Sequence, residues 1–382
     1  MGNRELIRVA LLGLGKMGLS HLAMLKSHRD VELVAVCDKS EYLLNILSKY
    51  TPIKTYTDYK QLLTTEKLDA VFVATPSRFH AEIVRLGLAA NLHIFCEKPF
   101  CLDPAEGLQL AELAEGKRLI NQVGYHYRFV GAFSEMKCIL SSNMLGAINH
   151  VRGEAYGPVV LRAKGSTWRT SKAEGGGCLY DYASHAIDLV NYLVGRPDAV
   201  GGTTMHRIYS SDVEDEVYTN LYYANGMTGH IAANWSDESH RKMSAKVTVW
   251  GANGKAIADR QELQVYLRDD RGLPEGFKKG WNVRYTTDLT EPVWFYLRGE
   301  EYSAQIDHFI QSIKTGYVET RSTFRSATDA DLVASAMVRD TGRKNTMVSQ
   351  EAVEPPKSSG SSLWDAIRRP KKSNAPMLAN RN

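Results

Sequence analysis

Residues 7–18 read IRVALLGLGKMG, and this stretch decides the fold of the chain. The mostly apolar residues 7–12 favour a β-strand, and Gly13-Leu14-Gly15-Lys16-Met17-Gly18 follows with G-x-G-x-x-G spacing before a predicted helix. Glycines at such a turn let a pyrophosphate approach the bare backbone and the helix N-terminus. Asp38 lies twenty residues beyond Gly18, at the end of the second predicted strand, where a carboxylate accepts hydrogen bonds from ribose hydroxyls. The pattern therefore predicts a Rossmann domain that binds a dinucleotide; the alternative is a tight turn beside a surface aspartate.

The neighbouring residues Asp38 and Lys39 bear on which dinucleotide binds. The carboxylate of Asp38 would repel the 2′-phosphate of NADP, and this repulsion favours NAD. The cation of Lys39 leaves the use of NADP open. We therefore predict NAD as the cofactor, with NADP as the alternative.

The chain up to residue 124 has the pattern of βαβ units around a doubly wound parallel sheet. Short β-branched runs alternate there with amphipathic stretches at helical spacing. Strands are predicted at residues 7–12, 31–37, 53–56, 69–74, 92–96 and 119–123. Helix N-caps are predicted at Thr57, Ser77 and Asp103, and Pro104 follows the last of these at the first helical position.

Beyond a predicted linking helix at residues 132–142, the runs have hairpin spacing, which predicts an antiparallel sheet. Strands are predicted at residues 147–156, 199–209, 215–224, 227–235 and 244–250. A long helix is predicted at residues 178–194, and two more at residues 301–314 and 324–340. Residues 269–297 are rich in glycine, proline and aromatic residues, and we predict an inserted loop with little regular structure.

The length of 382 residues exceeds what one hydrophobic core usually serves, so we predict two domains and a tail. Residues 1–124 form the predicted Rossmann domain. Residues 125–350 form a predicted α+β domain for substrate binding and oligomerisation, whose C-terminal helix is able to pack back on the first domain. Residues 351–382 are basic and rich in proline, serine, glycine and lysine, and we predict that this tail is disordered.

Composition and charge argue against several classes of function. Six basic and two acidic residues lie beyond residue 351 and account for the whole net charge of +4, so we expect no nucleic-acid partner. No stretch approaches the roughly 20 apolar residues of a membrane span, so we expect no membrane partner. The five cysteines have neither a C-x-x-C pair nor metal-ligand spacing, which predicts no metal and a reduced, cytoplasmic location.

Two further motifs follow predicted strands of the first domain. Thr75-Pro76-Ser77-Arg78-Phe79-His80 follows the fourth strand, and Glu97-Lys98-Pro99 follows the fifth. Both therefore lie at the carboxyl edge of the parallel sheet, where such sheets bind ligands. We expect Lys98 to point toward the nicotinamide. The alternatives are that His80 caps or packs within the next helix and that Lys98 is a solvated surface charge.

The fourth motif lies in the second domain, where residues 175–188 read GGGCLYDYASHAID. Asp181 and His185 are four residues apart on a predicted helix, so we expect them to share one face. Histidine has the proton affinity of a general base near neutral pH. The alternative is a buried, satisfied histidine beside an aspartate that the helix dipole favours.

Together the four motifs resemble those of the Gfo/Idh/MocA family of dehydrogenases, over about residues 6–340. The resemblance implies a Rossmann domain and an open, mostly antiparallel sheet used for substrate binding and oligomer contacts. It also implies that Lys98, Asp181 and His185 are catalytic and that the Lys98-Pro99 bond is cis. The expected cofactor-binding residues, with their motif neighbours, are Gly13, Gly15, Lys16, Met17, Gly18, Asp38, Lys39, Thr75, Pro76, His80, Glu97 and Lys98. The expected substrate-binding residues are Lys98, Tyr125, Arg128, Trp168, Arg169, Asp181 and His185.

The expected reaction is oxidation of a secondary hydroxyl of a sugar, a cyclitol or a sugar nucleotide by hydride transfer to nicotinamide. His185 would be the base, Lys98 would stabilise the alkoxide, and Asp181 would orient His185 or hold a neighbouring hydroxyl. The alternative is a cofactor-binding regulator with the same fold and no turnover. We expect a homodimer or a homotetramer.

Overall fold

The computed structural model describes residues 6–163, 165, 167–270, 272–290, 292–295, 299–317 and 320–343. The predicted basic tail, residues 351–382, lies outside the described residues. The described residues up to Arg343 form one compact unit. The predicted boundary between two domains after residue 124 stays a prediction.

The first sheet has six strands, all parallel, in the order β3-β2-β1-β4-β5-β6. This order reverses between β1 and β4, and ligands bind in the crevice at the carboxyl ends of the strands where such a reversal occurs. The strands are β1 (Ile7–Leu12), β2 (Val31–Cys37), β3 (Lys54–Tyr56), β4 (Ala70–Val73), β5 (His93–Cys96) and β6 (Asn121–Val123). The predicted Rossmann sheet is confirmed, with strand ends that differ from the predicted ones by two residues at most.

Five helices connect these strands. They are α1 (Lys16–Ser27), α2 (Glu41–Tyr50), α3 (Tyr59–Thr65), α4 (His80–Ala89) and α5 (Pro104–Gly116). Side-chain N-caps mark the beginning of three of them, α2, α3 and α5. Asp103 caps α5 through the backbone N–H of Ala105, as predicted. Asp58 rather than Thr57 caps α3, because its carboxylate accepts the backbone N–H of Lys60 at 2.8 Å. Ser77 begins a short 3₁₀ turn instead of capping a helix.

The second sheet has eight strands in the order β14-β13-β12-β11-β7-β10-β9-β8. All neighbours are antiparallel except β7 and β10, so the predicted mostly antiparallel sheet is confirmed. Its strands are β7 (Ile148–Tyr156), β8 (Ala199–His206), β9 (Glu216–Tyr222), β10 (Thr228–Asn234), β11 (Ser244–Gly251), β12 (Gly254–Ala258), β13 (Glu262–Leu267) and β14 (Gly280–Tyr285).

The prediction of a loop over residues 269–297 was wrong in its middle, where β14 and the short helix α8 (Thr286–Leu289) lie. β14 pairs with β13 at the sheet edge, with Trp281 opposite Tyr266. The glycines and aromatic residues of this segment suggested a loop. Apolar and polar residues alternate along Trp281-Asn282-Val283, and this alternation was the strand signal in the sequence. In the structure Trp281 and Val283 are exposed and Asn282 between them is buried.

Four further helices complete the described part of the chain: α6 (Gly131–Ser141), α7 (Ser184–Val194), α9 (Glu300–Thr315) and α10 (Phe324–Asp340). α7 packs on the second sheet. α9 inserts Ile306, Phe309 and Ile310 into the core of the first sheet. None of the helices in the described ranges is long and apolar enough to cross a membrane.

Candidate active site

The glycine motif forms the turn between β1 and α1, and two of its glycines are required by the backbone. Gly13 has a φ of +96°, in the left-handed region. Gly18 lies so close to the carbonyl of Gly13 that any Cβ would collide with it. Gly15 differs, because a Cβ added there would meet no atom within 4 Å. Its bare Cα therefore faces open space at the carboxyl edge of the sheet.

A cleft of about 870 Å³ begins at this turn and extends to the π-helical segment before α7. We call it the central cleft. It brings together residues from all four predicted motifs, which are far apart in the sequence. The predicted residues that line it are Gly13, Gly15, Lys16, Met17, Asp38, Lys39, Thr75, Pro76, Glu97, Lys98, Trp168, Arg169, Asp181 and His185.

The other predicted residues, Gly18, His80, Tyr125 and Arg128, are buried and are not among the residues that line the cleft, so their ligand contacts stay predictions. His80 is 1% exposed, with Nδ1 at 2.9 Å from the carbonyl oxygen of Pro99 and Nε2 at 2.9 Å from that of Thr75. It ties together the loops that follow β4 and β5. The packing alternative is therefore favoured for His80.

Arg128 and Tyr125 belong to the segment that leads from β6 toward the second sheet. The guanidinium of Arg128 donates to both carboxylate oxygens of Asp188 on α7, at 2.9 Å and 2.6 Å. It also donates to the carbonyl of Arg321 at 2.7 Å. The side chain of Tyr125, in the same segment, is fully buried. These two residues brace the segment from behind.

Asp38 is fixed by the backbone at the glycine end of the cleft. One carboxylate oxygen accepts the N–H of Leu14 at 2.6 Å and the other accepts the N–H of Ser40 at 2.8 Å. Lys39 lies 5.3 Å from the ring centroid of Phe79, to which Arg78 also makes a cation–π contact. This end of the cleft therefore combines one fixed carboxylate with two cations.

The Glu97-Lys98-Pro99 segment adopts the predicted cis bond between Lys98 and Pro99. Oε1 of Glu97 lies 2.7 Å from Nε2 of the buried His21, and Oε2 accepts the backbone N–H of Lys98 at 3.3 Å. Burial disfavours ionisation of Glu97, but the His21 hydrogen bond and the charge of Lys98 outweigh it and lower the pKa. Glu97 therefore anchors the residue from which the Lys98 side chain projects.

Lys98, Asp181 and Arg169 form an ion cluster in the cleft. Nζ of Lys98 donates to Oδ1 and to the backbone carbonyl of Asp181, both at 2.9 Å. Nε of Arg169 donates to Oδ2 of Asp181 at 2.9 Å. Burial would raise the pKa of Asp181, but the charges of Lys98 and Arg169 lower it to about 2. Two cations share one carboxylate, so the cluster keeps an excess positive charge.

Asp181 and His185 both line the cleft, but the hydrogen-bond partners of the Asp181 carboxylate come from other elements. Leu179–Ala183 forms a π-helical turn, and the α-helix begins only at Ser184. In a π-helix the hydrogen bonds run from i to i+5, so this turn is wider than a turn of α-helix. The carboxylate of Asp181 points to Lys98 and Arg169 instead.

His185 lies in an aromatic pocket at the base of the cleft. The side chains of Tyr127 and His126 stand edge-on to its ring, each with a centroid distance of 5.1 Å. Its Nδ1 is buried without a hydrogen-bond partner among the described residues. Burial, together with the charges of Lys98 and His126, holds its pKa well below the usual value for histidine. The imidazole is therefore neutral near pH 7 and able to accept a proton.

Sequence reasoning missed several residues of the cleft wall. His126 and Tyr127 lie next to predicted residues in the GYHYRF segment, and their polar aromatic side chains were the available signal. Arg260 comes from the turn between β12 and β13, and Tyr302 comes from α9. No local pattern could identify these two, because only the tertiary fold brings them to the cleft.

A parallel sheet of order 3-2-1-4-5-6 with an open glycine turn defines a dinucleotide-binding fold, and the cationic cluster and neutral histidine are suited to oxidoreductase chemistry. Comparison with known families agrees. Residues 7–125 match the oxidoreductase family with an NAD-binding Rossmann fold, and residues 133–257 match the GFO/IDH/MocA C-terminal domain. The chain therefore belongs to the Gfo/Idh/MocA family of oxidoreductases. The predicted family, fold class and NAD cofactor are confirmed.

Similar proteins include several sugar and cyclitol dehydrogenases. The myo-inositol 2-dehydrogenase of Thermotoga maritima is 26% identical over 81% of this chain and 89% of its own length. The levoglucosan dehydrogenase of Pseudarthrobacter phenanthrenivorans is 27% identical over 58% of this chain, and the match spans only 64% of that enzyme. A levoglucosan dehydrogenase solved with NADH and levoglucosan superposes with a TM-score of 0.76 at 24% identity, covering 87% of this chain and 96% of that one. At that identity the superposition supports the fold alone.

Proposed function

We propose that the protein is an NAD-dependent dehydrogenase that oxidises a secondary hydroxyl of a sugar, a cyclitol or a sugar nucleotide. The observation that carries this proposal is the central cleft itself. It places the Lys98–Asp181 pair and the neutral His185 in the same cavity as the open glycine turn. Activity on polyhydroxylated molecules among the relatives supports the substrate class.

The described residues fit a bound dinucleotide. The open space at Gly15 lets a pyrophosphate reach the backbone and the N-terminus of α1. Thr75 lines the wall of the same cleft, and its hydroxyl has no hydrogen-bond partner among the described residues. Asp38 would hold the adenosine ribose, and Glu97 and Lys98 would lie near the nicotinamide. When bound, NAD supplies the hydride acceptor.

The side chains of this protein would manage the proton and the developing negative charge. His185 accepts the proton of the substrate hydroxyl, and we assign this role to Nε2, because Nδ1 is buried. Lys98 donates a hydrogen bond to the oxygen as its negative charge develops. Arg169 holds the second oxygen of Asp181, so Asp181 does not fully neutralise Lys98.

A panel of polyols and sugar nucleotides tests the proposal, run with NAD and with NADP and followed at the absorbance band of reduced nicotinamide. We expect NAD-dependent absorbance growth with at least one cyclitol, sugar or sugar nucleotide. Tight cofactor binding without any reaction across the panel would favour the regulator instead. Titration calorimetry of the cofactor alone separates that result from a protein that has lost its fold.

We further propose a homodimer or homotetramer built on the outer face of the second sheet, and a cytoplasmic location that the five free cysteines support. On this face Tyr266 and Trp281 lie in ring contact at 5.4 Å, and Val283 and Tyr285 beside them are exposed. A contiguous apolar patch on a sheet that is covered only on its other face is typical of a subunit contact. Light scattering after sizing chromatography should show a smaller particle for Val283→Glu than for the control Ile46→Glu on α2. Equal masses would refute this face as the contact.

A further inference from the structure

Arg260 reaches the central cleft from the turn between β12 and β13. A carboxylate behind the wall holds it: Nη2 of Arg260 donates to Oε1 of Glu301, near the start of α9. Glu301 is 6% exposed and is not among the described residues that line the cleft, whereas the side chain of Arg260 is 42% exposed. Glu301 therefore fixes the guanidinium from one edge, and the rest of the guanidinium stays accessible at the cleft wall.

The guanidinium of Arg260 lies one aromatic ring away from the proposed base. Its carbon Cζ is 5.8 Å from the ring centroid of Tyr127, and that centroid is 5.1 Å from the ring centroid of His185. All three residues line the central cleft. When the reacting hydroxyl of a sugar or a cyclitol meets His185, a substituent on another carbon of the same molecule is able to meet Arg260.

The wall around these residues carries an excess of positive charge. We call Lys98 and the lining residues beyond 124 the substrate half of the cleft. Apart from two histidines, the charged side chains described in this half are Lys98, Arg169, Arg260 and one carboxylate, that of Asp181. Glu301 behind the wall balances Arg260, so two cations still face the single carboxylate of Asp181. Clefts lined mainly by one sign of charge concentrate ligands of the opposite sign.

We propose that the substrate is a sugar or a cyclitol that carries a carboxylate or a phosphate, and that Arg260 binds this anionic group. The inference rests on the proposed function, because His185 and Lys98 act on the hydroxyl while Arg260 holds another part of the same molecule. A guanidinium presents its N–H groups in a planar fork that matches two oxygens of a carboxylate or a phosphate. Arg260 therefore selects anionic substrates over neutral polyols of the same shape.

Binding to protein saturated with NADH, measured by titration calorimetry, tests this inference without turnover. The probes are the methyl glycosides of glucose, glucuronic acid and glucose 6-phosphate, together with the corresponding galactose compounds. The three members of each set differ only at the sixth carbon, so the carboxylate and the phosphate are tested separately against a neutral group. We expect at least one anionic probe to bind wild-type protein about tenfold more tightly than its neutral counterpart. This preference should decrease as the salt concentration is raised.

The double variant Arg260→Met/Glu301→Gln removes the guanidinium without leaving a carboxylate unpaired behind the wall, and it keeps the net charge of the protein. It should bind the preferred anionic probe about tenfold more weakly, with the affinity for NADH unchanged. The matched control is Arg284→Met/Glu135→Gln. That ion pair, at 2.8 Å, joins β14 to α6, and neither residue lines the cleft. The control should keep the wild-type preference.

If the double variant does not fold, Arg260→Lys replaces it. This variant keeps a cation beside Glu301 but loses the planar fork, so the preference for the anionic probe should fall in part. The inference is overturned if no anionic probe binds wild-type protein more tightly than its neutral counterpart, or if the Arg260 variant keeps the full wild-type preference. If an anionic probe binds through Arg260 and no hydride transfer to NAD occurs, the proposed function fails and the anion site stands. Hydride transfer from neutral glycosides alone would support the proposed function and refute the anionic substrate.

Discussion

Replacing Arg128 by Met should destabilise the protein strongly, because it leaves the carboxylate of Asp188 buried without its partner. The native guanidinium makes two hydrogen bonds to Asp188, at 2.9 Å and 2.6 Å, and one to the carbonyl of Arg321 at 2.7 Å. Breaking a buried ion pair from one side costs about 3–5 kcal/mol. We therefore expect the free energy of unfolding in urea to fall by about that amount at pH 8. The affinity for polyols should fall more than the affinity for NADH, since Arg128 holds α7, which carries His185, and does not contact the glycine turn.

The sign of the pH dependence follows from Asp188. Burial raises the pKa of this carboxyl and outweighs the opposing effect of Arg128, and removal of the arginine raises the pKa further. A carboxyl whose pKa is raised by folding destabilises the native state as the pH rises through that pKa. The stability gap between wild type and Arg128→Met should therefore narrow as the pH is lowered. The double variant Arg128→Met/Asp188→Leu, which removes both charges of the pair, should be less destabilised than the single variant. The reasoning would be refuted if the free energy of unfolding of Arg128→Met fell by less than about 1 kcal/mol, or if the single variant were at least as stable as the double variant.

Three further outcomes are expected. His185→Ala should reduce turnover by roughly 10²- to 10⁴-fold with cofactor affinity unchanged in calorimetry, and near-normal turnover at saturating substrate would contradict its role as the base. Wild-type protein should bind NAD more tightly than NADP, and Asp38→Ala should reduce the difference between the two affinities. Equal affinities of the wild-type protein for NAD and NADP would show that the positive charge of Lys39 or Arg78 outweighs the charge of Asp38 at that end of the cleft. Lys98→Met should move the acid limb of the kcat/KM profile to higher pH, because burial and then the charge of Lys98 lower the pKa of His185 and the base must be deprotonated to act. A limb that stays in place or moves to lower pH would show that another group titrates.

The parts of the fold that depend on local sequence could be predicted well. The bounds of β1, β2 and α10 match the prediction to the residue, since apolar runs and periodicity set them. The glycine motif was also locatable, because Gly13 and Gly18 are needed for the backbone path itself. The strand β14 was missed because its glycine-rich and aromatic sequence has the composition of a loop, although its alternation is that of a strand.

The side-chain partners in the site could not be predicted in the same way. The sequence places Asp181 and His185 at helical spacing, but it does not show that Lys98 and Arg169 are the hydrogen-bond partners of Asp181. Arg128 was expected at the substrate and is instead paired with Asp188 behind the wall. Such pairings depend on where distant elements meet, and a single sequence does not carry that information.

Asp181 and His185 line the same cleft, but their electrostatic surroundings give them different chemical tasks. Asp181 is held by two cations and has a pKa of about 2, so it stays ionised and is a poor proton acceptor at neutral pH. Burial, together with the charges of Lys98 and His126, lowers the pKa of His185, so its imidazole is neutral near pH 7. The charge that stabilises the oxygen and the group that removes the proton therefore belong to different side chains. Acid–base work falls to His185, and Asp181 serves to place Lys98, which is why Asp181→Asn should disturb the position of Lys98 without removing the base.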